Sequence, residues 1–127
     1  MDQTQAHNYL LNKPQTKVEQ PFGEGVDVYK VAGKMFATLT LRAIDDGEPM
    51  WQMNLKCDPD EAQALRDIFS AVLPGYHMDK RLWNTIILDG SIPKGEVERM
   101  MDNSYLLVVA KLTKAKQQEL LTQLEQR

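Results

Sequence analysis

Hydrophobic positions in this chain follow two spacings, and their alternation predicts the order of its elements. Ala6, Tyr9, Leu10 and Leu11 within residues 2–12 fit one short helix, which must end before Lys13-Pro14 because a residue preceding proline avoids the helical region. Residues 15–57 lack helical periodicity. Short runs there, bounded by glycine, proline and acidic turns, predict an antiparallel meander.

The clearest hairpin pairs residues 34–42 with 50–57. Met35, Ala37, Leu39 and Leu41 share one face of the first strand and leave Thr38, Thr40 and Arg42 on the other. In the second strand Trp51, Met53, Leu55 and Cys57 oppose Gln52, Asn54 and Lys56. A loop centred near Asp46 sets Thr40 opposite Gln52 and Thr38 opposite Asn54, so the polar rows fall on one side of the sheet, expected to be wet, with core on the other. Residues 25–31 form the preceding strand, joined through Ala32-Gly33, where Gly33 can take a positive φ.

Helical spacing takes over after Cys57. Asp58 suits an N-cap, Pro59 the first helical position, and Glu61 a capping-box arrangement; Leu65, Ile68, Phe69 and Val72 make an apolar stripe. Pro74-Gly75 breaks that helix, and residues 76–79 and 84–89 read as two further strands. A helix from about Pro93 to Leu112 carries Val97, Met101, Ser104, Tyr105 and Val108 on one face. Thr113 caps a last helix, amphipathic through Leu120, Leu121 and Leu124. The predicted order is helix, four strands, helix, two strands, two helices: an α+β domain with a largely antiparallel sheet.

At 127 residues and 43% apolar content the chain fits a single domain over residues 1–127 with one core. Its one cysteine, Cys57, cannot form an internal disulfide, and neither a signal-type leader nor an apolar run of membrane-spanning length is evident; the expectation is a cytoplasmic monomer with no membrane association. A net charge of −3 and a pI near 5.3 argue against coating nucleic acid by bulk electrostatics, so an anion site would be a local patch.

That patch has a candidate in Gly75-Tyr76-His77-Met78-Asp79-Lys80-Arg81-Leu82-Trp83. It crowds imidazole, two cations and an indole together, the residue types that contact phosphate and stack on bases. Lys56, at the end of a strand with Gln52 and Asn54 on its outward row, extends the same chemistry, and Arg42, Thr40 and Thr38 continue the row on the neighbouring strand. Catalysis has little to stand on. Cys57 and His77 lack a nucleophile signature, His7 and His77 lack partners at metal-ligand spacing, and no catalytic residue, metal or cofactor is expected. Gly23-Glu24-Gly25 reads as a turn, and Val31-Ala32-Gly33-Lys34-Met35 fails as a P-loop because Met35 replaces the magnesium-binding hydroxyl.

Phe22-Gly23, Gly33-Lys34-Met35-Phe36-Ala37, Leu55-Lys56-Cys57-Asp58-Pro59, Gly75-Tyr76-His77-Met78 with Lys80 and Trp83, Leu88-Asp89-Gly90, Pro93 and Ser104 to Leu112 together resemble the MmcQ/YjbR family, over about residues 20–112. The resemblance implies a CyaY-like (frataxin-like) two-layer sandwich, with helices on one face of a curved sheet of about six strands. It also implies a DNA-binding role for the open sheet face, because that face is similar to the double-wing DNA-binding domain of a phage transcription factor. Carried over by position, the family's polar residues are Lys34, Lys56, His77, Lys80 and Trp83, with Arg81 a local addition. Relatives often carry histidine or another polar residue before the tryptophan, where this chain has Leu82. Frataxin's iron chemistry is not implied, since the first helix offers only Asp2 in place of an acidic ridge. The alternative to a DNA or polyanion partner is a protein partner on the same sheet or the last helix, which suits the acidic pI.

Overall fold

The structure, a computed structural model, describes residues 1–126. Its elements follow the expected order: α1 (Gln3–Leu11), β1 (Thr16–Glu19), β2 (Val26–Val31), β3 (Lys34–Ala43), β4 (Pro49–Lys56), α2 (Pro59–Ile68), β5 (Val72–Pro74), β6 (Trp83–Ile87), α3 (Lys94–Val109) and α4 (Lys114–Glu125). The six strands form one antiparallel sheet in the order β1-β2-β3-β4-β6-β5.

Local chemistry fixes the helix starts. Asp2 and Gln5 form a reciprocal capping box on α1, Asp58 accepts from the Asp60 amide ahead of α2, and Thr113 accepts from the Lys116 amide ahead of α4. Glu61 does not close a box at α2; its carboxylate takes Arg99 of α3, which also holds Glu96. Val97, Met101, Ser104, Tyr105 and Val108 are all buried along α3. Of the α4 leucines, Leu120 enters the core, Leu124 packs against it and Leu121 is exposed.

The β3–β4 register sets Thr38 opposite Asn54 and Thr40 opposite Gln52, as alternation requires. Ala37, Leu39, Met53 and Leu55 face the helices in one core with Leu10, Tyr29, Leu65 and Tyr105. Four further expectations are corrected. Tyr29 pairs with Ala37 but Lys30 with Met35, so a bulge skips Phe36. It turns Phe36 into the core, edge-to-face on Tyr105, and leaves Met35 on the side of Lys30. Leu41, expected in the core, is exposed, while its cross-strand partner Trp51 packs against the core. The α2 stripe ends early: Phe69 takes an extended conformation, Ile68 is exposed, and Val72 belongs to β5. The strand expected at residues 76–79 is instead part of a loop joining β5 to β6, with His77 at φ 57°.

Ser104 repairs the bulge from the helix side. Its hydroxyl donates to the Phe36 carbonyl and accepts from the Lys56 amide, the two groups that the skipped residue leaves without strand partners. At the β2–β3 turn Ala32 and Gly33 both have positive φ, 49° and 77°, the conformation of a two-residue hairpin loop that carries the right-handed strand twist.

Candidate functional site

The side of the sheet away from the helices is polar but not wet. Val28, Thr38, Gln52 and Thr85 are all buried there. A loop of residues 75–82 helps to explain this. The Tyr76 amide donates to Thr85 Oγ1, which in turn donates to Asn54 Oδ1, while Asn54 Nδ2 donates to the Tyr76 carbonyl. Thr38 Oγ1 accepts from the Asn54 amide, and Gln52 Nε2 donates to the Arg42 carbonyl. The amides and hydroxyls of the row are thus engaged within the molecule, and buried polar groups with partners are expensive to free. The expectation of a wet face fails because alternation reveals which side chains share a side and says nothing of what crosses over them.

The sequence-predicted residues separate into three groups. Lys56 and Trp83 are cross-strand partners on β4 and β6. Trp83 is only 9% exposed, folded under the loop so tightly that a Cβ on Gly75 would stand 2.8 Å from its own Cβ. The indole therefore presents little face for stacking. His77, Lys80 and Arg81 are exposed on the loop: the His77 ring packs on Tyr76 at 4.0 Å between centroids, Lys80 Nζ donates to the Gly75 carbonyl, and Arg81 pairs with Asp79 at 3.5 Å. The Arg81 amide and guanidinium hold the Asp79 carboxyl below the usual carboxylate range. Lys34 stands apart at the β2–β3 turn, paired with Val31 and so on the helix side.

Two cations that motif reasoning passed over join the far side. Lys17 pairs with Lys30, and Lys30 with Met35. Strand alternation marks both, since Tyr29 and Val31 on either side of Lys30 are core. Across the sheet the sequence is Lys17, Lys30, Met35, then Lys56 beyond the bulge, then Trp83. On the strands' far side the charged residues are Lys17, Glu19, Lys30, Arg42 and Lys56, a basic excess on an acidic chain. Glu19 pairs with Lys30 at 2.8 Å; among the described residues the Lys56 ammonium has no partner.

Cys57 lies on the opposite side, buried beneath α2 and α3, and desolvation pushes its thiol up to about 11, so it is protonated at neutral pH. Among the described residues no group of three or more His, Cys, Asp or Glu side chains could hold a metal ion. Nor is any helix there long and apolar enough to cross a membrane.

Comparisons with known proteins agree with this architecture. A family model described as YjbR matches residues 11–107. The uncharacterized protein YbdF of Escherichia coli O157:H7 is 32% identical over 112 residues, 88% of either chain. YjbR of the same organism is 39% identical over 72 residues, 57% of this chain and 60% of that one. A crystal structure of a Deinococcus radiodurans protein with a DUF419 domain superposes with a TM-score of 0.79 at 31% identity, covering 92% of this chain and 86% of that chain. A crystal structure from Pseudomonas syringae gives 0.75 at 25% identity, covering 84% and 98%. With the matched region running from the end of α1 into α3 and taking in every strand, the chain belongs to the YjbR family.

Proposed function

We propose that this protein is a small cytoplasmic, non-enzymatic DNA-binding module that contacts the phosphate backbone through the far side of its sheet. The observation that carries the reading is the basic row of Lys17, Lys30 and Lys56, continued past Trp83 by Lys80 and Arg81 on the loop. Lysine and arginine on a shared surface attract polyanions by counterion release without reading sequence. The engaged hydrogen-bonding groups of Asn54, Thr85 and Gln52 argue for backbone contact over base readout. A six-stranded antiparallel sheet with its helices on one side supports a CyaY-like reading of the fold and an analogy with double-wing DNA binders. Such an analogy raises the expectation without fixing function.

The test is fluorescence anisotropy with labelled duplex and single-stranded DNA across a salt series. Affinity is expected to fall with a log–log slope of about −3 to −5 for the duplex, indifferent to sequence. Lys56→Ala combined with Lys80→Ala should flatten that slope by about 2. Absence of binding at low salt, or a slope unmoved by the double substitution, overturns the proposal. One observation favours a second reading, a protein-docking module: Phe22, in the β1–β2 connection, is 73% exposed. Stoichiometric capture of one protein with no nucleic acid, lost in Phe22→Ser, would support it.

A further inference from the structure

Backbone contact leaves Arg42 unexplained. This side chain reaches from β3 across Gln52, and its guanidinium carbon stands 3.3 Å from the centre of the Tyr76 ring. Nη2 donates to Gln52 Oε1, and Nη1 reaches the Ala43 carbonyl at 3.5 Å, the limit of a hydrogen bond. Nε is buried and has no hydrogen-bond partner among the described residues. A guanidinium offers five N–H donors in a rigid fork, and a buried donor left unbonded is destabilising unless something else rewards its position.

Beside this group opens a cleft of about 400 Å³, within the range of small-ligand sites, lined by Arg42, Ile44, Asp45, Leu73, Tyr76 and Thr85. Ile44 and Leu73 make an apolar wall. Thr85 Oγ1 is engaged with both Asn54 and Tyr76, whereas Arg42 keeps Nε unbonded among the described residues. Asp45 stands at the rim with φ 54° and no side-chain partner among the described residues; its charge disfavours a doubly charged ligand next to Arg42. Tyr76 is 43% exposed, its ring resting on the Arg42 guanidinium and the His77 ring, while its backbone is pinned at both amide and carbonyl.

We propose that this cleft binds a small aromatic carboxylate, with Arg42 holding the carboxylate and the Tyr76 side chain serving as its cover. Rotation of the Tyr76 side chain uncovers the guanidinium without unpinning the loop. The carboxylate then takes the Nε–Nη fork, and the ligand's flat body lies against Ile44 and Leu73. A single negative charge satisfies Arg42 without crowding Asp45.

The full chain, isotope-labelled, is titrated with sodium benzoate at constant ionic strength and followed by two-dimensional NMR. Saturable shifts are expected at Arg42 Nε–Hε and at the amides of Ile44, Leu73 and Tyr76, with a Kd on the order of 1 mM. Shifts that do not saturate, or that centre elsewhere, overturn the proposal. So does an equal response to benzylamine, or tighter binding of phenyl phosphate than of benzoate. Arg42→Lys keeps the charge and loses the fork; it should weaken binding at least tenfold, and unchanged affinity would refute the assignment. Should that variant misfold, Tyr76→Ala retains Arg42 and removes the cover: benzoate affinity equal to or above that of the parent is expected, and a tenfold loss would rule out the cover role.

Discussion

On the helix side of the sheet, Phe36, Leu39, Met53, Leu55 and Ile86 are buried by helices whose apolar faces the sequence announces. On the far side Thr38, Gln52 and Thr85 are buried as well, in a hydrogen-bonded network with Asn54, Arg42 and the loop of residues 75–82 that no apolar pattern announces. The two sides reach similar burial by different physics. One is a packed core, insensitive to hydrogen-bond geometry and sensitive to volume. The other is a polar network in which each group must keep its partner, because a buried donor or acceptor left alone costs about 1–3 kcal/mol. The difference matters for function, since a polar network can anchor a cation-bearing loop over a sheet where an apolar patch would invite a second layer of helices.

The comparison can be broken most forcefully from the core. Phe36→Ala removes a ring packed edge-to-face on Tyr105 and should destabilise by about 3–5 kcal/mol in urea unfolding. A loss under about 1 kcal/mol would mean that the bulge relaxes and Met35 takes its place. Ser104→Ala tests the join between the sides. It strips both the Phe36 carbonyl and the Lys56 amide of their partner and should cost roughly 2–3 kcal/mol, more than any simple hydroxyl deletion at the surface.

Thr85→Val addresses the far side alone. Shape is kept while the bonds to Asn54 and the Tyr76 amide are lost, so about 1–2 kcal/mol should disappear, together with amide-exchange protection in residues 76–82. Protection in α3 should change only as far as global stability does. Smallest of all is Ala32→Asn. A non-glycine residue at φ 49° is strained, and Asn-Gly is the favoured pair for this turn; stability should rise by about 0.5–1 kcal/mol, seen as a higher melting temperature with unchanged DNA binding.

How much of this was legible beforehand follows the same division. The element order, the caps at Asp58 and Thr113, and the pairing of Thr38 with Asn54 depend on local spacing and turn chemistry, and the sequence carries both. Val72 misleads because it falls at the i+7 position of the α2 stripe, and nothing local distinguishes a last helical turn from an edge strand. Met35 misleads because a bulge requires knowledge of Ser104, far along the chain. Within the candidate site, Lys56 and the loop cations were readable from alternation and composition, and Lys30 could have been. The burial of Trp83 and the engagement of Asn54 with Tyr76 were not, since both depend on where residues 75–82 come to lie, a tertiary outcome with no periodic signal.

The claim that the far side is the working surface is tested most directly by mapping DNA onto the protein. In a two-dimensional NMR titration of the labelled chain with a short duplex at low salt, amide shifts should concentrate at Lys17, Lys30, Lys56 and residues 77–81, and should vanish when salt is raised. Shifts centred on α3 or α4, or none at all at low salt, would contradict it.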